Sequence, residues 1–465
     1  MRVALLLFAL LVMVAPALEA QVSMGTNCDL REDYRTIASR EPVAGNRVTY
    51  VGGPYLICPD GLRIQADSAV VYEATGRSEL IGNVRFRHPE RELDARIADY
   101  YEREGRLYAR GDVRFLDVEG GNEVRGDTLD YREARAGRPE DQLTVWGERA
   151  TARLLPRDGA EDPYQVGADR LRFEGEDFFW GDGNVEVNRE DLAATSDSLA
   201  FDQNGGQLIL TGNAHVVRGD VTASGGIVNL NISDDRLESL RARREGQIVT
   251  GGGERLTGDD VLVTLTEEEE VESIRAEGVD DILATLTTEE VSIVGRVVEI
   301  ESAQGETRVV RATGLARGET GGGGPAIEVD EEADGGELAG FLDRDWMEGD
   351  EIVATFRRLE GLEEPDLDEP EGPAPPGATD DYLLEALEST GNARSFFRQR
   401  SEGACGWSIS YVMAHRVFVQ MAEGEVERVE AEGGDGGEVD GIQLDPICDD
   451  EVEGDDEAEG DDDGG

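Results

Sequence analysis

The chain contains no lysine, so its 44 basic residues are all arginines, and they face 103 acidic residues for a formal net charge of -59. Nucleic-acid binding needs clustered positive charge that displaces counterions from phosphates. The charge balance therefore argues against a nucleic acid as a partner. It is typical of a solvated, self-repelling acidic surface.

Histidine is scarce as well. The three histidines, His88, His215 and His415, each stand alone on a predicted strand or strand end, which leaves little for a histidine-based triad or metal cluster. The sequence also lacks a Gly-x-Ser-x-Gly nucleophile elbow and a phosphate-binding glycine loop that opens a helix. We therefore predict that the protein is not an enzyme and has no catalytic residue, metal site or cofactor.

Long apolar runs are missing beyond the N-terminus. There, Arg2 precedes an apolar run over residues 3–14, and small residues follow at Ala15, Ala17 and Ala20. The run is shorter than the roughly 20 residues that span a bilayer. The arrangement is typical of a cleavable signal peptide, which we assign to residues 1–20.

The four cysteines fall in two pairs, Cys28 with Cys58 and Cys405 with Cys448. In the oxidising compartment that a signal peptide implies, this spacing favours two local disulfides. The sequence alone leaves three pairings open, and free buried thiols as well. Metal ligation is disfavoured because no histidine lies at a zinc-site spacing.

An internal repeat occupies most of the chain. Each copy centres on a small residue that is usually followed by aspartate, as in Ala66-Asp67, Gly126-Asp127 and Gly349-Asp350, with apolar residues two positions before the centre and three and five positions after it. Alternation with period two predicts a half-buried strand. Because the inward parity changes at the centre, we predict a β-bulge there that bends each strand near its middle.

This pattern assigns a set of apolar side chains to the interior of the repeat region. They are Ile64, Ala69, Val71, Leu93, Tyr100, Val124, Leu129, Tyr131, Val166, Leu171, Phe173, Leu199, Phe201, Val228, Leu230, Val261 and Val263. We predict that they line a groove wide enough for lipid chains. A packed sandwich core, in which they touch only one another, fits the same alternation.

A return strand with a Gly-[Asn/Asp] pair follows several centres, as in Leu80-Ile81-Gly82-Asn83-Val84. Stacking about ten such two-strand units builds two facing sheets, so the fold class is all-β. The predicted organisation is an N-terminal cap over 21–59 with Cys28 and Cys58, repeats over 60–317, an acidic glycine-rich loop over 318–340, final repeats over 341–446 interrupted by a proline- and acid-rich loop over 361–381, and a disordered acidic tail over 447–465.

Two stretches resemble a known family. Ala66-Asp67-Ser68-Ala69-Val70-Val71-Tyr72, followed by Leu80 to Val84, and Gly349-Asp350-Glu351-Ile352, followed by Gly391-Asn392-Ala393, are similar to the OstA-like, or LptA-like, periplasmic module of lipopolysaccharide transport. The resemblance implies an elongated, bent β-jellyroll, a V-shaped array of two sheets in the periplasm. It also implies a groove that shields lipid A acyl chains between an inner-membrane transporter and an outer-membrane translocon, and end-to-end self-association through edge strands.

Two functions remain open from the sequence. The first is a periplasmic lipid-binding bridge or chaperone that carries lipopolysaccharide from the inner to the outer membrane through the groove. The second is a structural or adhesive secreted β-repeat protein that binds no lipid. For the first, Arg85, Arg87 and Arg114 are candidate headgroup contacts, although exposed surface arginines are the simpler interpretation.

Overall fold

The computed structural model describes residues 28–31, 35–43, 45–58, 61–155, 162–175, 177–189, 192–233, 236–251, 253–267, 271–288, 291–303, 307–320, 344–358, 378–379, 382–399, 408–422, 425–434 and 437–444. The chain divides into two compact units, Met1–Gly181 and Asp182–Gly465.

The first unit consists of β-strands and one short 3-10 turn, Glu102–Glu104. Its strands are β1 (Asp29–Leu30), β2 (Thr36–Val43), β3 (Asn46–Gly52), β4 (Tyr55–Ile57), β5 (Arg63–Gln65), β6 (Ser68–Tyr72), β7 (Arg77–Arg87), β8 (Arg91–Tyr101), β9 (Arg106–Asp117), β10 (Glu123–Arg132), β11 (Gln142–Leu154), β12 (Tyr164–Glu174) and the start of β13 (Phe178–Arg189).

The second unit holds the rest of β13 and the later strands. They are β14 (Leu192–Asp202), β15 (Gln207–Arg218), β16 (Val221–Ser233), β17 (Arg236–Val249), β18 (Arg255–Leu265), β19 (Val271–Glu277), β20 (Ala284–Thr287), β21 (Val291–Gly295), β22 (Val297–Ala303), β23 (Thr307–Thr320), β24 (Asp345–Arg358), β25 (Ala378–Thr379), β26 (Tyr382–Gln399), β27 (Ser408–Ala422), β28 (Glu425–Glu432) and β29 (Asp440–Leu444).

These strands confirm the prediction of an all-β fold. Within each unit, strands adjacent in sequence form antiparallel hairpins, for example β8 with β9 and β17 with β18. The described residues contain no α-helix. They therefore also contain no helix long and apolar enough to cross a membrane.

Most long strands cross a bend, so each unit has two sheets, which we call arm A and arm B. In the first unit, arm A includes residues 91–95, 113–117 and 123–126, and arm B includes residues 97–101, 106–110 and 128–132. In the second unit, arm A includes residues 255–258, 284–287 and 316–320, and arm B includes residues 260–265, 297–303 and 307–313. The free ends of the arms, on the side away from the bend, form what we call the mouth of the unit.

The structure moves the extra residue of each bulge from the predicted strand to its neighbour. Gly111 and Asp112 of β9 together face the single residue Asp127 of β10, and both have positive φ, 79° and 51°. Glycine adopts this conformation without strain, and Asp and Asn tolerate it better than other residues. The strand with the small residue is thus the shorter side of the bulge, and its inward parity changes for that reason.

The aspartate after the small residue ties the corner together. The Asn83 side-chain amide donates a hydrogen bond to Asp67 Oδ2 at 2.8 Å. Asn213 makes the same bond to Asp197 at 3.1 Å. The repeated Asp and the repeated Gly-Asn pair are therefore two halves of one corner, contributed by neighbouring strands.

A disulfide closes the N-terminal edge of arm A in the first unit. Strand β1 pairs with β4, and Cys28 is bonded to Cys58 just beyond the paired residues, with their Cα atoms 4.0 Å apart. Cys405 and Cys448 lie outside the described residues.

Several predicted boundaries fall at the edges of what the structure describes. Strand β23 continues to Thr320, so the predicted loop over 318–340 begins within a strand. Within the predicted loop over 361–381 the structure describes only β25. The predicted signal peptide over 1–20 and the acidic tail over 447–465 lie outside the described residues.

Candidate functional site

The apolar faces of arms A and B point toward each other in each unit. The predicted interior residues nearest the bend are buried, as shown by Ala69 and Leu129 in the first unit and Val228 and Val261 in the second. Such a face arises because residues of one parity leave the water together when the arms approach. The parity read from the repeat is therefore the parity that the fold buries.

The predicted interior positions separate into two groups by burial. The aliphatic positions are buried, namely Ile64, Ala69, Val71, Leu93, Val124, Leu129, Val166, Leu171, Leu199, Val228, Leu230, Val261 and Val263. The aromatic positions are half-buried, namely Tyr100, Tyr131, Phe173 and Phe201. The positions from Ile64 to Phe173 belong to the first unit and those from Leu199 onward to the second. The four aromatic side chains lie five residues after their centres, toward the mouth, and Val71, Leu230 and Val263 occupy the same position in their repeats but are buried.

Polar and aromatic side chains connect the two arms at the mouth of the first unit. Arg91 of arm A donates to the Tyr131 hydroxyl of arm B and, at 2.6 Å, to Asp141 Oδ2 just before β11. Tyr131 donates to the same carboxylate at 2.7 Å. The rings of Phe115 in arm A and Tyr131 in arm B are stacked with centroids 6.2 Å apart.

This contact sets the protonation of both partners. Burial, together with the hydrogen bond to Asp141, raises the pKa of Tyr131 well above its ordinary value. Burial alone would raise the pKa of Asp141, but hydrogen bonds from Tyr131 and the Ala134 backbone N–H, with the charge of Arg91, outweigh burial and lower it. Asp141 is thus a carboxylate and Tyr131 a neutral donor at neutral pH.

The mouth of the second unit has a related arrangement with different residues. Arg308, at the free end of arm B, forms an ion pair with Glu254, at the free end of arm A. The Arg308 guanidinium lies 4.3 Å from the ring centroid of Tyr382. Below this pair, apolar side chains of both arms border a small cavity of about 10 Å³, lined by Leu286, Ile300, Val310 and Phe356, with Thr288 at its edge.

Sequence reasoning missed these mouth contacts, and it also missed two buried acids. Asp99, on the outer face of arm B in the first unit, is buried beneath Arg77 and Arg110, whose guanidinium groups donate to it at 2.7 and 3.1 Å. Asp345 in the second unit is buried against Arg398. Burial raises the pKa of Asp345, although its bonds with Arg398 oppose the shift. The one sequence signal for these arginine–carboxylate pairs is that arginines and acidic residues often stand two positions apart on the same strand.

The three arginines considered as headgroup contacts lie on the outer face of arm A in the first unit. Arg85 is exposed. Arg87 pairs with Asp94 at 2.6 Å, and Arg114 pairs with Glu123 at 2.8 Å. The partners of Arg87 and Arg114 are carboxylates of neighbouring strands. In the described part of the chain, no group of three or more His, Cys, Asp or Glu side chains is arranged to hold a metal ion.

Bent antiparallel strands with an apolar interior between two arms define a class of all-β repeat proteins, and the comparisons identify the family that this chain resembles. Residues 63–236 match the family described as LptA/(LptD N-terminal domain) LPS transport protein. This match confirms, for that segment, the resemblance to the OstA-like lipopolysaccharide-transport family.

Among solved structures, 17 chains match. One of them is LptH, the LptA homologous periplasmic component of the conserved lipopolysaccharide transport device from Pseudomonas aeruginosa, with 17% sequence identity and a TM-score of 0.22 over 24% of this chain and 76% of that chain. Among curated proteins, none matches.

Proposed function

We propose that this protein is a periplasmic component of lipopolysaccharide transport that holds acyl chains between arms A and B. The observation that carries the proposal is the apolar face that each arm turns toward the other, bordered at the mouth by half-buried aromatic side chains. The family match over residues 63–236 supports the choice of lipopolysaccharide as the cargo.

The energetics favour an acyl chain as the guest of this interior. Each methylene removed from water contributes about 0.8 kcal/mol. A guest that binds by burial alone needs no matched polar groups, which agrees with the aliphatic composition of the interior positions. The charged headgroup stays at the mouth, because burial of an unpaired charge between the arms is strongly unfavourable.

In this role the protein is a bridge or chaperone between an inner-membrane transporter and an outer-membrane translocon. The alternative is a structural or adhesive protein whose arms form a closed core. The two differ in whether the side chains between the arms contact lipid in the cell.

A photo-crosslinking pair tests this difference. Phe173 faces the interior and is half-buried, whereas its neighbour Arg172 lies on the outer face with 48% of its side chain exposed. We expect a photoreactive amino acid at position 173 to crosslink lipopolysaccharide, and the same amino acid at position 172 to give little product. Crosslinks from position 172 alone, or from neither position, contradict the carrier function.

Depletion of the protein provides the cellular test. We expect newly made lipopolysaccharide to accumulate at the inner membrane when the protein is depleted. Unchanged delivery to the outer membrane, measured by membrane fractionation, would favour the structural alternative.

A further inference from the structure

The outer face of arm B in the first unit carries a row of tyrosine and arginine side chains that runs across the strands. The residues of this row stand directly opposite one another on the five consecutive strands β6 to β10. We call them the arginine–tyrosine row, and they are Tyr72, Arg77, Tyr101, Arg106 and Arg132. Adjacent members are about 5 Å apart along the sheet.

The rings and guanidinium groups of the row hold one another in place. The Arg77 guanidinium carbon lies 5.4 Å from the ring centroid of Tyr72 and 5.9 Å from that of Tyr101, and the Arg106 guanidinium carbon lies 5.8 Å from the same Tyr101 centroid. Arg77 and Arg106 each donate from Nε and Nη2 to a carboxylate of a neighbouring strand. Among the described residues, neither Nη1 group has a protein acceptor, so both arginines keep donors for an outside ligand.

Further aromatic side chains extend this outer face beyond the row. The rings of Tyr108 and Trp146 have centroids 6.2 Å apart. The Arg172 guanidinium lies 4.8 Å from the ring centroid of Trp180, and the 40% exposed Phe178 is stacked on Trp180. Tyrosine and tryptophan that remain partly exposed are typical of interaction surfaces, because each ring has an apolar body and a polar edge.

The face carries positive charge on a strongly acidic chain. In the three outward rows nearest the bend, strands β7 to β12 hold six arginines and four carboxylates, a net charge of +2. The arginines are Arg77, Arg106, Arg110, Arg132, Arg170 and Arg172, and the carboxylates are Glu79, Asp99, Asp130 and Glu174. Only 4% of the Asp99 side chain is exposed, so an approaching partner meets mainly arginine.

The second unit provides an internal comparison, because its arm B is built from the same repeat. In the three outward rows nearest the bend, strands β17 to β19 and β22 to β24 hold four arginines, five carboxylates and no aromatic side chain. The charged residues are Arg241, Arg243, Arg275, Arg311, Asp260, Glu277, Glu299, Glu301 and Glu351. The combination of rings and positive charge is therefore a property of the first unit and not of the repeat.

We propose that this face of the first unit binds the surface of a membrane that contains anionic phospholipids. The guanidinium groups contact lipid phosphates, and the tyrosine and tryptophan rings lie among the headgroups, where these side chains are enriched. Charge complementarity selects this face, because screening over about 8 Å at physiological ionic strength limits the repulsion from the acidic remainder of the chain. The proposal goes beyond the carrier function and needs no ligand between the arms.

Flotation of the full chain with vesicles tests the proposal. We expect the wild type to bind phosphatidylglycerol vesicles at least about tenfold more tightly than phosphatidylcholine vesicles. The variant Arg132→Gln/Arg170→Gln/Arg172→Gln should lose about fivefold in affinity for each arginine removed. These three are chosen because Asp99 keeps Arg77 and Arg110, and Asp130 keeps Arg106.

The matched control removes three arginines from the outer face of the second unit. Arg241→Gln/Arg275→Gln/Arg311→Gln changes the net charge by the same amount and should bind phosphatidylglycerol vesicles like the wild type. An equal loss of affinity in the two triple variants would show that net charge governs binding, and it overturns the assignment to this face.

Tryptophan fluorescence locates the contact. Trp146 and Trp180 lie on the proposed face, whereas Trp346 is buried in the second unit. Brominated phosphatidylglycerol should quench the emission of the wild type and of Trp346→Phe, and most of this quenching should disappear in Trp146→Phe/Trp180→Phe. Quenching that persists in the double variant places the contact elsewhere and contradicts the proposal.

A single variant covers the case in which the triple variant does not fold, as judged by its melting transition. Arg170 is exposed, and within the described residues it has no ion-pair partner to lose. Arg170→Gln should weaken vesicle binding about fivefold, and Arg170→Lys should restore most of it because the charge is kept. Unchanged binding in Arg170→Gln counts against the proposal.

The outcomes separate this inference from the carrier function. A wild type that binds neither kind of vesicle overturns the membrane-binding face, and this is the result expected if the face instead recognises an acidic protein. The carrier function still stands in that case if position 173 crosslinks lipopolysaccharide. Vesicle binding without crosslinking from position 173 has the opposite meaning.

Discussion

The corner residues show what the bend requires of single side chains. Gly391 and Asn392 have φ values of 72° and 50°, and a Cβ added to Gly391 would lie 2.3 Å from Asp350 Oδ2. At the equivalent second position of β23, Leu315 adopts a φ of 57° and remains 66% exposed. At the corner of β26 the first position thus requires glycine for both conformation and space, whereas in β17 Arg244 holds the first position at a φ of 59° and the second position accepts other residues.

Gly391→Ala is expected to destabilise the second unit by at least about 1–2 kcal/mol, because alanine is strained at positive φ and its methyl group displaces Asp350. Gly318→Ala is the matched control, since the nearest atom to its added Cβ is Ile352 Cδ1 at 3.8 Å. Urea unfolding measures both variants. Equal midpoints for the two variants would contradict this account of the corner.

The carboxylate of Asp141 makes the stability of the first unit depend on pH. Its pKa is lowered in the folded protein, so its contribution is present above the unfolded value of about 4 and is lost as the pH falls through the folded value. We expect the free energy of unfolding of the wild type to exceed that of Asp141→Asn by about 1–3 kcal/mol at neutral pH. This difference should become smaller in acid. Melting temperatures of the two proteins across the pH range measure it.

Tyr131→Phe is the control for this prediction. It removes one of the hydrogen bonds that hold the Asp141 carboxylate while keeping the ring against Phe115. Adding Asp141→Asn to Tyr131→Phe should lower the stability less than adding Asp141→Asn to the wild type. A gap between wild type and Asp141→Asn that stays constant with pH would show that the carboxylate charge is not involved.

At the scale of strands, the alternation of apolar residues was sufficient to predict the all-β fold and the inward parity. Positions such as Leu93 before the centre and Tyr100 after it are on the faces that the repeat assigned. The location of the extra residue was predicted on the wrong strand, because a parity change shows that two strands differ in length and does not show which one is longer. The Gly-Asn or Gly-Asp pair is visible in the sequence. That its two residues are the longer side of the bulge, with positive φ, becomes evident only from the pairing with the neighbouring strand.

The mouth contacts were beyond the reach of a strand pattern. Arg308 and Glu254 are 54 residues apart and lie at strand ends, where alternation gives no information about which ends approach each other. Both occupy inward parity, which an apolar pattern treats as an exception. Charged residues at inward positions near strand ends are therefore the signal that would have identified them.

The disulfide belongs to this scale because it fastens the short edge strands β1 and β4. Joining residues separated by 30 positions stabilises the fold by about 2–4 kcal/mol, chiefly by restricting the unfolded chain. We expect the double variant Cys28→Ser/Cys58→Ser to lower the urea midpoint of the first unit. An unchanged urea midpoint in the double variant contradicts the prediction. Adding a reductant to the double variant measures any contribution to stability from Cys405 and Cys448.

For the molecule as a whole, the net charge of -59 opposes compactness. Exposed arginine–acid pairs offset little of this repulsion because surface ion pairs contribute about 0–1 kcal/mol each. Raising sodium chloride from about 10 mM to about 150 mM shortens the Debye length from roughly 30 Å to 8 Å. We expect the melting temperature to rise over this range, measured by calorimetry. A decrease would show that the arginine pairs outweigh the repulsion.

The corner counts also restrict how such a chain changes length during evolution or design. Strands with one corner residue alternate with strands that have two or more, as Asp127 follows Gly111-Asp112, Asp259 follows Arg244-Glu245, and Asp169 follows Gly147-Glu148-Arg149. Removing one strand would place two strands with the same number of corner residues side by side. The residues on the two sides of the bend could then no longer pair in register. Viable insertions and deletions in this scaffold should therefore come as strand pairs, so natural and engineered variants differ by whole hairpins.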